Sequence, residues 1–174
     1  MSLYLVETEL NGEINNKEDF KKKISEIQGN LQNVNLIEVQ VSKDFSNVFF
    51  IFEAEESQGL QEKLSESGVT TQLIKEVRLV GKELDEVKKQ ADNVNYLVQW
   101  NIPEDITMDK YLARKKKNSV HYAEVPEVSF SRTYVCEDMT KCLCFYDAPD
   151  EDAVKRAREA VDTPIDSITE INAD

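Results

Sequence analysis

The sequence predicts an α+β protein made of two tandem copies of one small βαββαβ unit, on three observations. The segment Tyr4-Leu5-Val6-Glu7 returns as Tyr96-Leu97-Val98-Gln99. Val41-Ser42-Lys43-Asp44-Phe45-Ser46-Asn47 is matched without a gap by Val135-Cys136-Glu137-Asp138-Met139-Thr140-Lys141. The match runs on through Phe52-Glu53-Ala54 with Tyr146-Asp147-Ala148, and Ile74-Lys75-Glu76-Val77 with Ile168-Thr169-Glu170-Ile171. Few positions are identical, yet side-chain character stays in register over two strands and a helix, as a duplication requires. Third, strand-like and helix-like segments alternate in the same order in both halves.

In the first copy, Leu3 to Glu9 alternates as a strand. Phe20, Ile24 and Ile27 then recur at helical spacing behind Asn15 or Asn16 as N-cap. Val34 to Val41 and Val48 to Ala54 read as strands joined by the polar turn Ser42-Lys43-Asp44. Leu60 and Leu64 mark a second helix, and Thr70 to Val80 a last strand.

The second copy opens with a strand at Asn95 to Trp100, followed by a helix capped by Thr107 with Met108, Tyr111 and Leu112 on one face. Strands follow at Val128 to Val135 and Lys141 to Asp147. Asp150 caps a helix whose stripe is Ala153, Val154, Ala157, Ala160 and Val161, and Ile165 to Ile171 closes the unit. The order is that of a ferredoxin-like fold. Residues 1–81 form the first repeat, 82–93 a charged linker anchored by Leu84 and Val87, and 94–174 the second repeat.

An antiparallel sheet covered by helices on one side normally alternates apolar and polar residues. Val48-Phe49-Phe50-Ile51-Phe52 and Cys142-Leu143-Cys144-Phe145-Tyr146 do not alternate. The second face of each sheet therefore needs a cover, and the other copy is the expected one. Tandem repeats packed through their sheets make an intramolecular pseudo-dimer. If the sheets close into a barrel, its interior is the natural ligand site; the alternative is an interface filled with aromatics.

The chain has 174 residues, a net charge of -13, 40% hydrophobic and 32% charged residues. That charge argues against nucleic acid or an anionic membrane as partner. Met1-Ser2-Leu3-Tyr4-Leu5-Val6-Glu7 reaches a carboxylate before a signal core forms, and no run nears the roughly 18 apolar residues of a membrane span. Three cysteines without an export signal fit a reducing cytoplasm. The expected state is monomer or homodimer.

Cys142 and Cys144 are two apart on a strand and face one side. Cys136 ends the preceding strand, within reach across the hairpin. With His121 or Asp138 these thiols suit a soft site for nickel, zinc or copper; the alternative is plain core packing, common for cysteine. His121 is the only histidine and sits between helix and strand. Trp100, Tyr134 and Tyr146 are candidate pocket residues, or simply core. Arg114-Lys115-Lys116-Lys117 is echoed by Lys21-Lys22-Lys23, which favours a solvated helix face over anion binding. None of the five glycines forms a phosphate loop, and no complete catalytic constellation is present.

Arg132-Thr133-Tyr134-Val135, Asp138 and Lys141-Cys142-Leu143-Cys144-Phe145-Tyr146-Asp147-Ala148-Pro149 resemble a family of small ferredoxin-like domains first defined without a function. The tail from Ala153-Val154 through Asp162-Thr163-Pro164-Ile165 to Ile171 fits the same pattern. Some members are described as nickel-binding proteins. The resemblance covers residues 95–171 and implies the fold, dimerisation through the sheets and nickel binding. This chain departs from it at Gln99-Trp100-Asn101, where histidines would be natural nickel ligands. The first copy has Val48 and Phe50 in place of Cys142 and Cys144, and Glu55 in place of Pro149.

Three functions follow: a non-catalytic module binding a metal ion, nickel among them, or another small ligand; a cofactor-independent enzyme of the dimeric α/β-barrel type; or an interaction protein whose acidic surface meets a basic partner.

Overall fold

The computed structural model describes residues 2–171 apart from 11, 13 and 90–92. The chain divides into two compact units, one ending at Val77 and the other beginning at Arg78. No helix among the described residues is long and apolar enough to cross a membrane.

The first unit runs β1 (Ser2–Glu9), α1 (Lys17–Asn30), β2 (Asn35–Val41), β3 (Asn47–Ala54), α2 (Ser57–Glu66) and β4 (Leu73–Val80). Its antiparallel strand order is β2-β3-β1-β4, with Leu5 opposite Ile51 and Lys75. Asn16 begins α1 by accepting the Asp19 amide at 2.9 Å. Phe20 and Ile27 from α1 and Leu60 and Leu64 from α2 bury against Val48, Phe50 and Phe52 of β3.

The second unit opens with α3 (Leu84–Lys88), one short turn pinned by the buried Val87. It continues with β5 (Tyr96–Asn101), α4 (Met108–Asn118), a 3-10 segment (Ser119–Glu124), β6 (Ser129–Cys136), β7 (Lys141–Asp147), α5 (Glu151–Ala160) and β8 (Ser167–Glu170). Its order, β6-β7-β5-β8, repeats that of the first unit, again antiparallel. Thr107 caps α4 by accepting the Lys110 amide at 3.3 Å, and Asp150 caps α5 by accepting the Ala153 amide at 2.7 Å. Both ferredoxin-like repeats are therefore present.

The likeness extends to irregularities. β2 bulges between Leu36 and Glu38, and β6 bulges between Phe130 and Arg132. Phe45 and Met139, at matching places in the two hairpin turns, take left-handed backbones with φ 59° and 62°. Asp44 Oδ1 accepts the Ser46 amide at 3.1 Å, and Asp138 Oδ1 accepts the Thr140 amide at the same distance. After α2 the Val69 amide donates to the Leu64 carbonyl at 2.9 Å. After α5 the Thr163 amide does the same to Arg158. These helix ends are superposable C-caps, and they make Leu64 and Arg158 equivalent positions.

Val48 to Phe52 and Cys142 to Tyr146 are buried at every residue, so both faces of β3 and β7 are covered. That matches their lack of alternation.

Candidate functional site

The second unit gathers its reactive groups behind β7. Because side chains alternate along a strand, Cys142, Cys144 and Tyr146 share the face that packs on Tyr111 of α4 and on Ala153, Val154 and Ala157 of α5. Arg158 lies on that same stripe of α5, four residues beyond Val154, and is only 2% exposed. Its Nη1 donates to Cys144 Sγ at 3.4 Å and to Tyr146 Oη at 3.1 Å, while Nη2 donates to the Pro164 carbonyl at 2.6 Å. Thr133, paired with Cys144 across the β6–β7 ladder, donates from Oγ1 to Cys144 Sγ at 3.2 Å. Tyr122 Oη and Tyr146 Oη share a 2.6 Å hydrogen bond.

A cavity of about 20 Å³ touches both thiols. Arg158, Arg114 and Lys115 line it together with Trp100. The Arg114 guanidinium stands 5.6 Å from the Trp100 ring, and the Lys115 ammonium 4.4 Å from the Phe130 ring. Aromatic faces hold both cations at the site. The Nε–H groups of Arg158 and Arg114 are buried without a hydrogen-bond partner. Such orphaned donors are uncommon in native structures and invite an acceptor.

The electrostatics follow from this arrangement. Cys142 hydrogen-bonds Cys144 and draws its thiol well below the ordinary cysteine range. Burial opposes this, while the Lys115 and Arg158 charges and the Thr133 hydroxyl add smaller contributions in the same downward direction. Cys142 goes the other way, raised by the same hydrogen bond and by burial. The two thiols are thus set apart, Cys144 the more acidic and Cys142 the less. Burial lowers the acidity of Tyr146 and pushes Tyr122 up to about 12. Burial works against the charge on Arg158, but the negative groups facing it raise its pKa overall.

Of the five candidate metal ligands, only Cys142 and Cys144 come together. Val135 pairs with Cys142, so Cys136, one residue further, points to the opposite face. His121 is half exposed, with Nδ1 bonded to Glu124 Oε2 at 2.5 Å. Asp138 is engaged by Thr140 in the hairpin turn, with Oγ1 to Oδ1 at 2.6 Å. No group of three or more His, Cys, Asp or Glu among the described residues is placed to hold a metal ion. Of the three aromatic candidates, Trp100 lines the cavity and Tyr146 sits in its wall network through Arg158. Tyr134 lies on the far face of the sheet, edge-on to Phe145 at 5.9 Å.

The first unit has a larger cavity, about 150 Å³, between α1 and the sheet end. Phe20, Ile24, Ile27, Phe50 and Val69 line it, with Thr8, Glu9 and Lys23 among its polar members.

Residues 96–171 match the family described as nickel responsive protein SCO4226-like. This stretch is the second half of the chain and includes the whole thiol–arginine cluster. No curated protein matches the chain by sequence. Among solved structures, the candidate chlorite dismutase TA0507 is 14% identical with a TM-score of 0.54, over 99% of this chain and 95% of that one. The siroheme decarboxylase NirDL is 9% identical with a TM-score of 0.50, over 98% of this chain and 70% of that one. At these identities the likeness is one of fold.

Proposed function

We propose that this chain is a non-catalytic small-ligand-binding protein, and that its second unit takes up a small anion in the thiol–arginine cavity. The observation that carries this reading is a cavity of about 20 Å³ lined by three cations, Arg158, Arg114 and Lys115. Three like charges around so small a space repel one another, and a bound anion would offset that repulsion. The volume suits about one water-sized occupant, so the class is an anion of one or two heavy atoms, such as chloride or hydrosulfide.

The family matched by the second half brings nickel into question. An ion on Cys142 and Cys144 would meet a guanidinium nitrogen 3.4 Å from one of its two sulfurs. Lys115 adds a second positive charge, and no imidazole or carboxylate lines the cavity. Nickel needs further N, O or S donors to close its coordination. The donor set does not fit nickel, and the nickel response of those relatives is not carried over to this site.

Trp100 is the only tryptophan and lines the cavity, so its emission reports occupancy directly. Titration with chloride and with hydrosulfide is expected to give a saturable change that Arg114→Ala weakens roughly tenfold. Near-stoichiometric nickel binding that disappears in the Cys142→Ser, Cys144→Ser protein would overturn this reading and restore the thiol metal site.

A further inference from the structure

We infer that Cys144 and Cys142 form a peroxide-responsive dithiol, in which Cys144 is the sulfur oxidised and Cys142 the one that resolves it. Four features of the cluster point there. Cys144 Sγ accepts hydrogen bonds from a guanidinium at 3.4 Å and a hydroxyl at 3.2 Å, the donors that hold a sulfur as thiolate and aim it. A second thiol, Cys142, stands two residues away on the same strand face and lines the same cavity. The cavity touching both sulfurs has room for about one molecule of two heavy atoms, the size of hydrogen peroxide. Finally, Arg158 lines that cavity and holds its guanidinium on Cys144, a positive charge beside the oxygen that departs.

The chemistry balances with hydrogen peroxide as oxidant. The Cys144 thiolate attacks one peroxide oxygen, an S–O bond forms, the O–O bond breaks, and hydroxide leaves to take a proton from solvent. Cys142 then attacks the sulfenic sulfur: the S–S bond forms, the S–O bond breaks, and the thiol proton departs with hydroxide as water. Two electrons pass from the two thiols to the peroxide, and a cellular thiol reductant returns them. Residues two apart on a strand lie about 6.5 Å apart, at the far end of the Cα separations that disulfides span. The Cβ atoms are equally far apart, against the roughly 3.8 Å of a disulfide. The bridge therefore forms only as β7 buckles between the two residues, which makes it strained and of the labile kind that regulatory disulfides favour.

This inference shares the cavity with the anion reading but depends on the sulfurs, so the two fail separately. The reduced full-length protein is treated with hydrogen peroxide or with tert-butyl hydroperoxide, quenched by alkylation and analysed by intact and peptide mass. Hydrogen peroxide is expected to remove two hydrogens, mapped to Cys142–Cys144, at least tenfold faster than it oxidises free cysteine. The bulkier peroxide should lag. In Cys142→Ser the product is instead a Cys144 sulfenic acid captured by dimedone. Thr133→Val slows the step roughly tenfold, and Thr133→Ser restores it. Circular dichroism confirms that each variant is folded. Thiols that remain fully alkylatable, or oxidation no faster than free cysteine, would overturn the inference. Retained chloride binding at Trp100 in that case would leave the anion site standing.

Discussion

The two units share one scaffold, and four of the positions at which they differ decide the chemistry of the site. Where the first has Val39, Phe50, Phe52 and Leu64, the second has Thr133, Cys144, Tyr146 and Arg158. Val39 pairs with Phe50 as Thr133 pairs with Cys144, and the helix-capping bonds at Leu64 recur at Arg158. The backbone is thus indifferent to whether this spot is oil or a hydrogen-bonded ionic cluster. What decides is mutual satisfaction. Phe50 and Phe52 stack at 5.4 Å, and every polar member of the second set bonds another. Either set is self-consistent, and a mixture is not.

That rule is broken most severely by Leu64→Arg. The new guanidinium meets Phe50 and Phe52 with no thiolate or phenol to receive it, and an unpaired buried charge costs on the order of 4–5 kcal/mol. Urea denaturation should show the first unit unfolding at low denaturant. Arg158→Leu, the reverse exchange, strips donors from Cys144 and Tyr146 and is expected to cost about 3 kcal/mol. Adding Thr133→Val, Cys144→Phe and Tyr146→Phe to it should recover much of that loss while abolishing any anion response of Trp100. A strictly additive result would show that the four residues do not act as a set. Tyr146→Phe alone removes one hydroxyl between Arg158 and Tyr122 and should cost about 1 kcal/mol.

The smallest effect is a pH profile. Cys144 has its folded pKa below the unfolded thiol value of about 8.5. Its contribution is full above that value and fades as pH falls toward the folded pKa. Cys142 has its folded pKa raised. Its contribution is full below about 8.5 and fades as pH rises beyond it. The thiol part of stability should therefore peak near the ordinary thiol pKa. Cys144→Ser flattens the acid limb and Cys142→Ser the alkaline one. The first unit, with Val48 and Phe50 at these places, supplies neither limb.

Much of the fold was legible because its signals are local. Asn16, Thr107 and Asp150 were readable as caps from residue type and position, and the unbroken apolar runs of β3 and β7 announced burial on both faces. The site was legible only in part. Cys142 and Cys144 declare a shared face by their spacing, but Cys136 falls out of phase with them, which needs the pairing of Val135 with Cys142 to see. Arg158 was missed although it sits at i+4 from Val154 on an otherwise apolar stripe. An arginine in such a position is a signal, but residue type alone places it in solvent. Arg114 and Lys115 were hidden in a run of four cations. Lys116 and Lys117 are indeed exposed, while the first two are half-buried against Trp100 and Phe130. The echo of that run in Lys21-Lys22-Lys23 pointed to a solvated face and so drew attention away from the pocket.

The left-handed turn residues Phe45 and Met139 bear on what the scaffold keeps fixed. A side chain in that region costs of order 1 kcal/mol or more against glycine, and both halves carry the cost at the same place, in the same Asp-bonded turn. The same departure in both halves shows that the hairpin geometry, rather than the residue placed there, sets the backbone. The polar quartet occurs in the second unit and not at the matching places of the first. The hairpin thus holds its conformation more strictly than the core beneath it holds its chemistry: one turn geometry serves both an aromatic and a thiol–arginine interior.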